Sequence, residues 1–307
     1  MTKDFSRAAK EPGLSPGKAG GTPALRSPVW ITGTGGLIGS HLARLAAEFA
    51  PGCRVIPLTR AKLDLTDFAA VREQFRRDAP QLVIHCAALS RSPVCQADPA
   101  LARKLNVEVT AALAELAANI PLVFFSTDLV FDGCRGGYVE TDAVNPLSVY
   151  AETKVEAERV VLANPRHTVV RTTLNGGASP TGDRGFNEEL RRAWQAGRKT
   201  RLFTDEFRCP IAAAITARAT WELALRSQPG LYHLAGSQRL SRWEIGQLVA
   251  ARCPELNPRL EPGSLKDYQG APRPADTSLN CAKAQAWLSF DLPGLAGWLA
   301  ARPRELF

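Results

Sequence analysis

The segment Val29-Trp30-Ile31-Thr32-Gly33-Thr34-Gly35-Gly36-Leu37-Ile38-Gly39-Ser40 passes from an apolar run through a glycine-rich turn into a helical period. Val29 to Ile31 read as a buried strand, and Leu37 to Phe49 as an amphipathic helix. Gly33, Gly36 and Gly39, three residues apart, let the chain turn sharply and come close to a ligand. A helix that begins there aims free backbone N–H groups and its positive dipole end into the turn, a setting suited to a pyrophosphate. In a chain with 24 glycines the same spacing also describes an ordinary turn. Its meaning therefore depends on two later segments, Ser126-Thr127-Asp128 and Tyr150-Ala151-Glu152-Thr153-Lys154.

Between and beyond these segments the chain alternates in type. Strands are predicted over Arg54–Thr59, Leu82–Ala87, Leu122–Ser126 and His167–Thr172. Helices are predicted over Phe68–Arg77, Pro99–Asn119 and Pro146–Leu162, with Leu101, Leu105, Val109, Leu113 and Leu116 on one face of the second. Strands that are apolar throughout and alternate with helices call for a parallel sheet covered on both sides. The expected class is α/β, a doubly wound Rossmann-type sheet, with its ligand crevice beyond the carboxyl ends of the strands. Gly33, Arg60, Ala87, Thr127 and Thr173 all fall just past such ends. After residue 175 the rhythm loosens: helices are expected over Phe186–Ala196 and Ile211–Arg226, and a late strand over Leu231–Leu234. The organisation expected is a disordered tail at 1–27, a dinucleotide-binding domain at 28–174 and a smaller C-terminal substrate-binding lobe at 175–307. Segments within about 205–235 are expected to return to the sheet.

Composition narrows the function classes. The 307 residues are 45% hydrophobic, enough for a large core, and contain no apolar run long enough to span a membrane. The first 27 residues alternate Pro and Gly with few apolar residues and lack the apolar stretch of a secretory signal. Seven cysteines form no C-x-x-C pair, which predicts free thiols in a cytoplasmic protein. Four histidines, none spaced to share a metal with another or with a cysteine pair, make metal catalysis an unexpected reading. The net charge of +8 is spread without aromatic interleaving, so a phosphorylated small molecule is the expected partner, with no nucleic acid and no membrane.

Tyr150 and Lys154 stand one helical turn apart, so both side chains leave the same face. An ammonium beside a phenol favours the phenolate, and lowering a tyrosine pKa from about 10 to about 7 takes about 4 kcal/mol of differential stabilisation. The expected product is a general acid or base matched to neutral pH. Thr127, after the fourth strand, is placed to hold the same carbonyl oxygen by a hydrogen bond.

These residues carry a resemblance. Thr32-Gly33-x-x-Gly36-x-x-Gly39 with Tyr150-x-x-x-Lys154 resembles the extended short-chain dehydrogenase/reductase superfamily. Ser126 to Gly133, Glu140-Thr141-Asp142 and Pro146 to Tyr150 resemble its dTDP-4-dehydrorhamnose reductase branch, as do Asp205 to Pro210 and Arg273 to Asn280. The resemblance implies a reductase of a nucleotide-linked 4-keto-6-deoxysugar that uses NADP(H) or NAD(H). Thr127, Tyr150 and Lys154 would be the catalytic hydroxyl, the proton donor and its partner, with Lys154 also on the nicotinamide ribose. Gly33, Gly36, Leu37, Ile38 and Gly39 would line the pyrophosphate, Asp64 and Leu65 would meet the adenine, and Cys86, Ala87 and Ala88 would run beneath the cofactor. The sugar nucleotide would draw on Thr127, Asp128, Asn175, Arg208 and Arg273, and a homodimer is a possible assembly. Alternatives under the same resemblance are a nucleotide-sugar epimerase or other hydroxy dehydrogenase, and a regulatory NADP-binding protein similar to the methionine adenosyltransferase β subunit.

Three positions depart from the branch. Leu129 stands where a tyrosine is usual, and Arg208 where the residue is often small. Thr59-Arg60 follows the second strand without the acidic residue that binds a free ribose 2′-hydroxyl. Arg60 either faces a 2′-phosphate, which favours NADP(H) over NAD(H), or is a solvated strand-end arginine. The basic run Arg191, Arg192, Arg198, Lys199 and Arg201 is either a solvated surface or a pyrophosphate contact. His85 and Cys86 point to opposite faces of their strand and are expected to pack rather than react. Asp132-Gly133 reads as a turn, Asp142 as a support of the following helix's entry or of the loop, and Trp194, Trp221, Trp243, Trp287 and Trp298 as core.

Overall fold

Val29, Trp30 and Ile31 are entirely buried in the computed structural model, which describes residues 28–303, 305 and 307. The tail expected at 1–27 lies outside the described residues. The three apolar residues form β1 (Pro28–Thr32), which pairs in parallel with β2 (Arg54–Leu58) on one side and β3 (Leu82–His85) on the other. Next come β4 (Leu122–Thr127) and β5 (Thr168–Thr172), and the strand Gly230–Leu234 closes the six-stranded sheet beside β5. The register brings Thr32 opposite His85, His85 opposite Phe124, and Thr127 opposite Thr172. The carboxyl ends are thus drawn into one rim. The chain leaves β1 toward β2 on one side and β3 lies on the other, so the strand order reverses at the glycine turn, where such sheets hold ligands.

Both faces of the sheet are covered. On one side α1 (Leu37–Phe49) packs against the helix Ala213–Leu225, and Trp221 Nε1 donates to the Leu42 carbonyl at 3.1 Å. On the other lie α2 (Phe68–Asp78), the helical segment running from Pro99 to Leu116, and the helix Val149–Leu162. The 99–116 segment is not one uniform helix: Lys104–Glu108 is a π turn. That extra residue per turn rotates the apolar stripe, so Leu101 is exposed while Asn106 and Val107 are buried, contrary to the expected single face.

The second lobe is built from short pairings: Thr200–Phe203 with Leu260–Gly263, and Phe207–Arg208 with Leu240–Ser241. Asn175–Gly176 pairs with Ile211–Ala212. Of the stretch 205–235, only Gly230–Leu234 joins the main sheet. Trp194, Trp221 and Trp298 are core as expected, Trp243 is half-buried, and Trp287 is exposed. No described helix is long and apolar enough to cross a membrane.

Candidate active site

Each glycine of the turn has a separate physical reason. Gly33 has φ +69°, and a Cβ there would lie 2.6 Å from the Ala87 nitrogen. Gly36 is the N-cap of α1, and a Cβ at Gly39 would meet the Gly33 carbonyl oxygen at 2.5 Å. The start of α1 has no side-chain cap and no acidic residue in its first turn, so its dipole and the N–H groups of Leu37, Ile38 and Gly39 are left for an external anion. Close by, the buried Thr34 hydroxyl has no hydrogen-bond partner. These features fit a dinucleotide pyrophosphate. The floor is fastened by Thr32, whose Oγ1 accepts from the backbone N–H groups of Cys86 and Ala87, each at 3.2 Å. The same oxygen bonds His85 Nδ1 at 2.7 Å, and His85 Nε2 reaches Thr110 Oγ1 at 3.2 Å. Burial and the nearby Lys154 charge push the His85 pKa down to about 3, which makes it a neutral strut between strand and helix.

Ser148 caps the helix Val149–Leu162, and the Tyr150, Lys154 and Glu158 side chains emerge on its buried face. The Tyr150 hydroxyl is a neighbour of that of Thr127 at the end of β4. Lys154 Nζ lies 3.9 Å from the centroid of the Phe124 ring, below the crevice. The expected lysine-acidified phenol is not what the chain's own groups produce. Burial, followed by the Asp128 charge, raises the Tyr150 pKa above its ordinary value, with the Thr127 hydroxyl opposing. Burial also lowers Lys154 to about 7, against an upward pull from Glu158. Desolvation outweighs the i,i+4 attraction because both groups are enclosed. Tyr150 is therefore held protonated, the form a proton donor needs.

Asp128 is buried and richly bonded. Its Oδ1 accepts from Thr127 at 3.2 Å, and its Oδ2 from Thr173 and Thr277, each at 2.8 Å, with Arg208 Nε 3.5 Å away. Arg208 in turn meets Glu206 at 3.0 Å and the Pro274 carbonyl at 3.3 Å. Glu206, fully buried, collects Arg273 through two bonds of 2.9 Å and Arg242 at 3.1 Å. Burial alone would raise the Glu206 pKa, but Arg242, Arg208 and Arg273 draw it down to about 2. Three guanidiniums thus face two carboxylates beside Thr127, and Arg242 keeps one buried nitrogen without a partner. Asn175, expected to face a sugar, has internal partners instead: its amide donates to Thr172 and Thr173 and accepts from Thr216 at 2.6 Å.

The remaining predicted positions are scattered more widely. Arg60 is exposed past β2, and Asp64, in the following loop, turns its Oδ1 onto the Thr66 backbone and hydroxyl at 2.9 and 2.8 Å. Leu65 packs into the sheet's second core. Cys86, which together with Ala87 and Ala88 forms the segment under the turn, has its thiol pKa raised by burial. Asp132 accepts from Tyr138 at 2.6 Å and Asp142 from the Val139 N–H at 2.7 Å, so both staple a loop. Of the basic run, Lys199 pairs with Glu261 and Arg201 with Asp267, while Arg191 and Arg192 line a hollow of about 270 Å³ near Gly177 and Asn187. Two residues escaped sequence reasoning. Asn106, turned inward by the π turn, bonds Leu89 and Thr153 and ties the Tyr150 helix to the loop after β3. Glu206 sits two residues from Arg208, yet nothing in the sequence indicates that Arg242 and Arg273 converge on it.

Comparison with known proteins places the chain in a family. The family described as RmlD substrate binding domain matches residues 27–299. The chain belongs to this family. Among its relatives, dTDP-4-dehydrorhamnose reductase from Mycobacterium tuberculosis is 32% identical over 283 residues, 88% of this chain and 90% of that protein. Methionine adenosyltransferase 2 subunit beta from Xenopus laevis is 28% identical over 269 residues, 83% of this chain and 80% of that protein. The crystal structure of dTDP-4-dehydrorhamnose reductase from Bacillus anthracis in complex with NADP superposes with a TM-score of 0.81 at 23% identity, covering 90% and 98% of the two chains. The last likeness concerns the fold, and it is the fold of the family: a Rossmann-type α/β sheet.

Proposed function

We propose that this protein is an NADP(H)-dependent reductase of a nucleotide-linked 4-keto-6-deoxysugar. The observation that carries the reading is that the Tyr150 and Thr127 hydroxyls are neighbours at the sheet's rim, with Lys154 one helical turn from Tyr150. NADPH, held by the turn from Gly33 to Gly39, would supply hydride to the carbonyl carbon. Tyr150, protonated at neutral pH, donates its proton to the oxygen, and Thr127 holds that oxygen in line. Lys154 would hold the nicotinamide ribose. Loss of negative charge from Tyr150's surroundings is not needed for this direction, because a raised phenol pKa keeps the proton available until an alkoxide-like oxygen takes it.

The excess of arginine over carboxylate around Glu206 supports an anionic substrate such as a nucleoside diphosphate. Exposed Arg60, in place of an acidic residue, favours the 2′-phosphate of NADP(H). Seven free thiols accord with work in the cytoplasm. A second reading is a regulatory subunit that binds NADP without turnover. It is supported by the 28% identity to the methionine adenosyltransferase subunit and by Leu129, half-buried beside Tyr150, where the reductase branch usually has tyrosine.

The test is turnover. The purified protein is mixed with NADPH and a panel of nucleotide-linked 4-keto sugars, and loss of reduced nicotinamide absorbance is followed. Tyr150→Phe is expected to lower the rate by about 10²–10⁴-fold while NADPH still binds. Tight NADPH binding with no turnover on any sugar would favour the regulatory reading.

A further inference from the structure

The helix that carries Tyr150 and Lys154 presents a third buried group at the same spacing, Glu158. An interior carboxylate needs partners, and Arg171 from β5 supplies them. Arg171 Nε lies 3.0 and 3.2 Å from the two Glu158 oxygens, and its NH2 lies 2.7 Å from one of them. Both side chains are about 95% buried. Arg171 is held from behind by the Phe131 ring, 5.1 Å away, and by His233 Nε2 at 3.5 Å.

A buried ion pair is a weak source of stability, since well-packed apolar residues of the same volume do as well or better. This pair, however, ends one turn from Lys154, whose own surroundings disfavour a cation. The amine is enclosed: the neutral His85 and the Cys86 thiol lie nearby at the end of β3, and Tyr150 stands a turn above, so that the Phe124 ring face is its one cation-favouring contact besides Glu158. Of the two carboxylates in this neighbourhood, Asp128 is engaged with Thr127, Thr173, Thr277 and Arg208. Glu158 is the other.

We propose that Glu158, clamped by Arg171, is a positioning residue that keeps Lys154 charged and directed at the crevice. This rests on the reading in which Lys154 serves Tyr150 and the bound dinucleotide. Glu158 acts through space along the helix. Arg171 fixes the carboxylate's position, and the Phe124 face receives the ammonium from below.

The test needs no substrate. Lysines are labelled with ¹³C at Cε, the Lys154 signal is assigned by its loss in Lys154→Met, and its titration midpoint is measured in the intact protein. Glu158→Gln is expected to lower that midpoint by roughly one pH unit or more, and Glu158→Asp to hold it near wild type. The double variant E158Q/R171M avoids a buried unpaired guanidinium, and it is expected to regain stability while the midpoint stays low. A midpoint unmoved in folded E158Q or E158Q/R171M would overturn the proposal. Turnover of the wild type separates the two claims: a lowered midpoint in E158Q beside a wild type that reduces no sugar nucleotide supports the Glu158 assignment and counts against the reductase reading.

Discussion

The hydroxyl of Thr127 donates to the carboxylate of its neighbour Asp128 over 3.2 Å. Asp128 is held in turn by Thr173, Thr277 and Arg208, so Thr127 stands between the Tyr150 phenol and an anchored carboxylate. Asp128, expected at the sugar, is occupied by protein partners, Thr127 among them.

If the Thr127 O–H turns from Asp128 to an incoming carbonyl oxygen, Thr127→Val should cut kcat and kcat/KM together, by about 10²-fold, the loss typical for one donor aimed at a reacting oxygen. Steady-state kinetics on the best sugar nucleotide checks this. A rise in KM with kcat unchanged would mean that Thr127 only binds.

The depressed pKa of Lys154, about 7, makes a statement about stability. In the unfolded chain lysine titrates near 10.4. Below about pH 7 both states are protonated and the folded protein bears the full cost of burying the charge. Between about 7 and 10 only the unfolded state holds the proton, so this contribution to stability rises with pH, by at most about 1.4 kcal/mol per unit. Urea unfolding of wild type against Lys154→Met should show wild type gaining on the variant from pH 7 to 9. A constant difference across that range would refute the assignment.

Gly33→Ala forces a side chain into φ +69° and against the Ala87 backbone at 2.6 Å. Strain and overpacking together predict a loss of about 2–4 kcal/mol and of NADPH binding. Gly35→Ala is the control, since its nearest neighbour is the Thr59 methyl at 4.0 Å, and it should stay within about 0.5 kcal/mol of wild type. Chemical denaturation of both variants decides.

Arg60→Ala should weaken NADPH about tenfold and leave NADH affinity unchanged, as expected for loss of one charge-assisted phosphate contact. Titrations followed by nicotinamide fluorescence measure both. Equal weakening of the two would place Arg60 in solvent, away from the 2′-phosphate.

The sequence by itself determined the parallel sheet, because Val29 to Ile31, Leu82 to Ile84 and Leu122 to Phe125 are apolar without alternation and so need cover on both faces. It also determined the glycine turn and the Tyr150–Lys154 pairing, since backbone freedom and helical period are local properties that spacing records. Tertiary structure alone decided which way the electrostatics run. Desolvation depends on everything packed around a group, so the i,i+4 spacing of Tyr150 and Lys154 could not reveal that burial raises one and lowers the other. Nor could it reveal that Arg242 and Arg273, 36 and 67 positions from Glu206, would close on it, because contacts between distant segments leave no periodic trace in the chain.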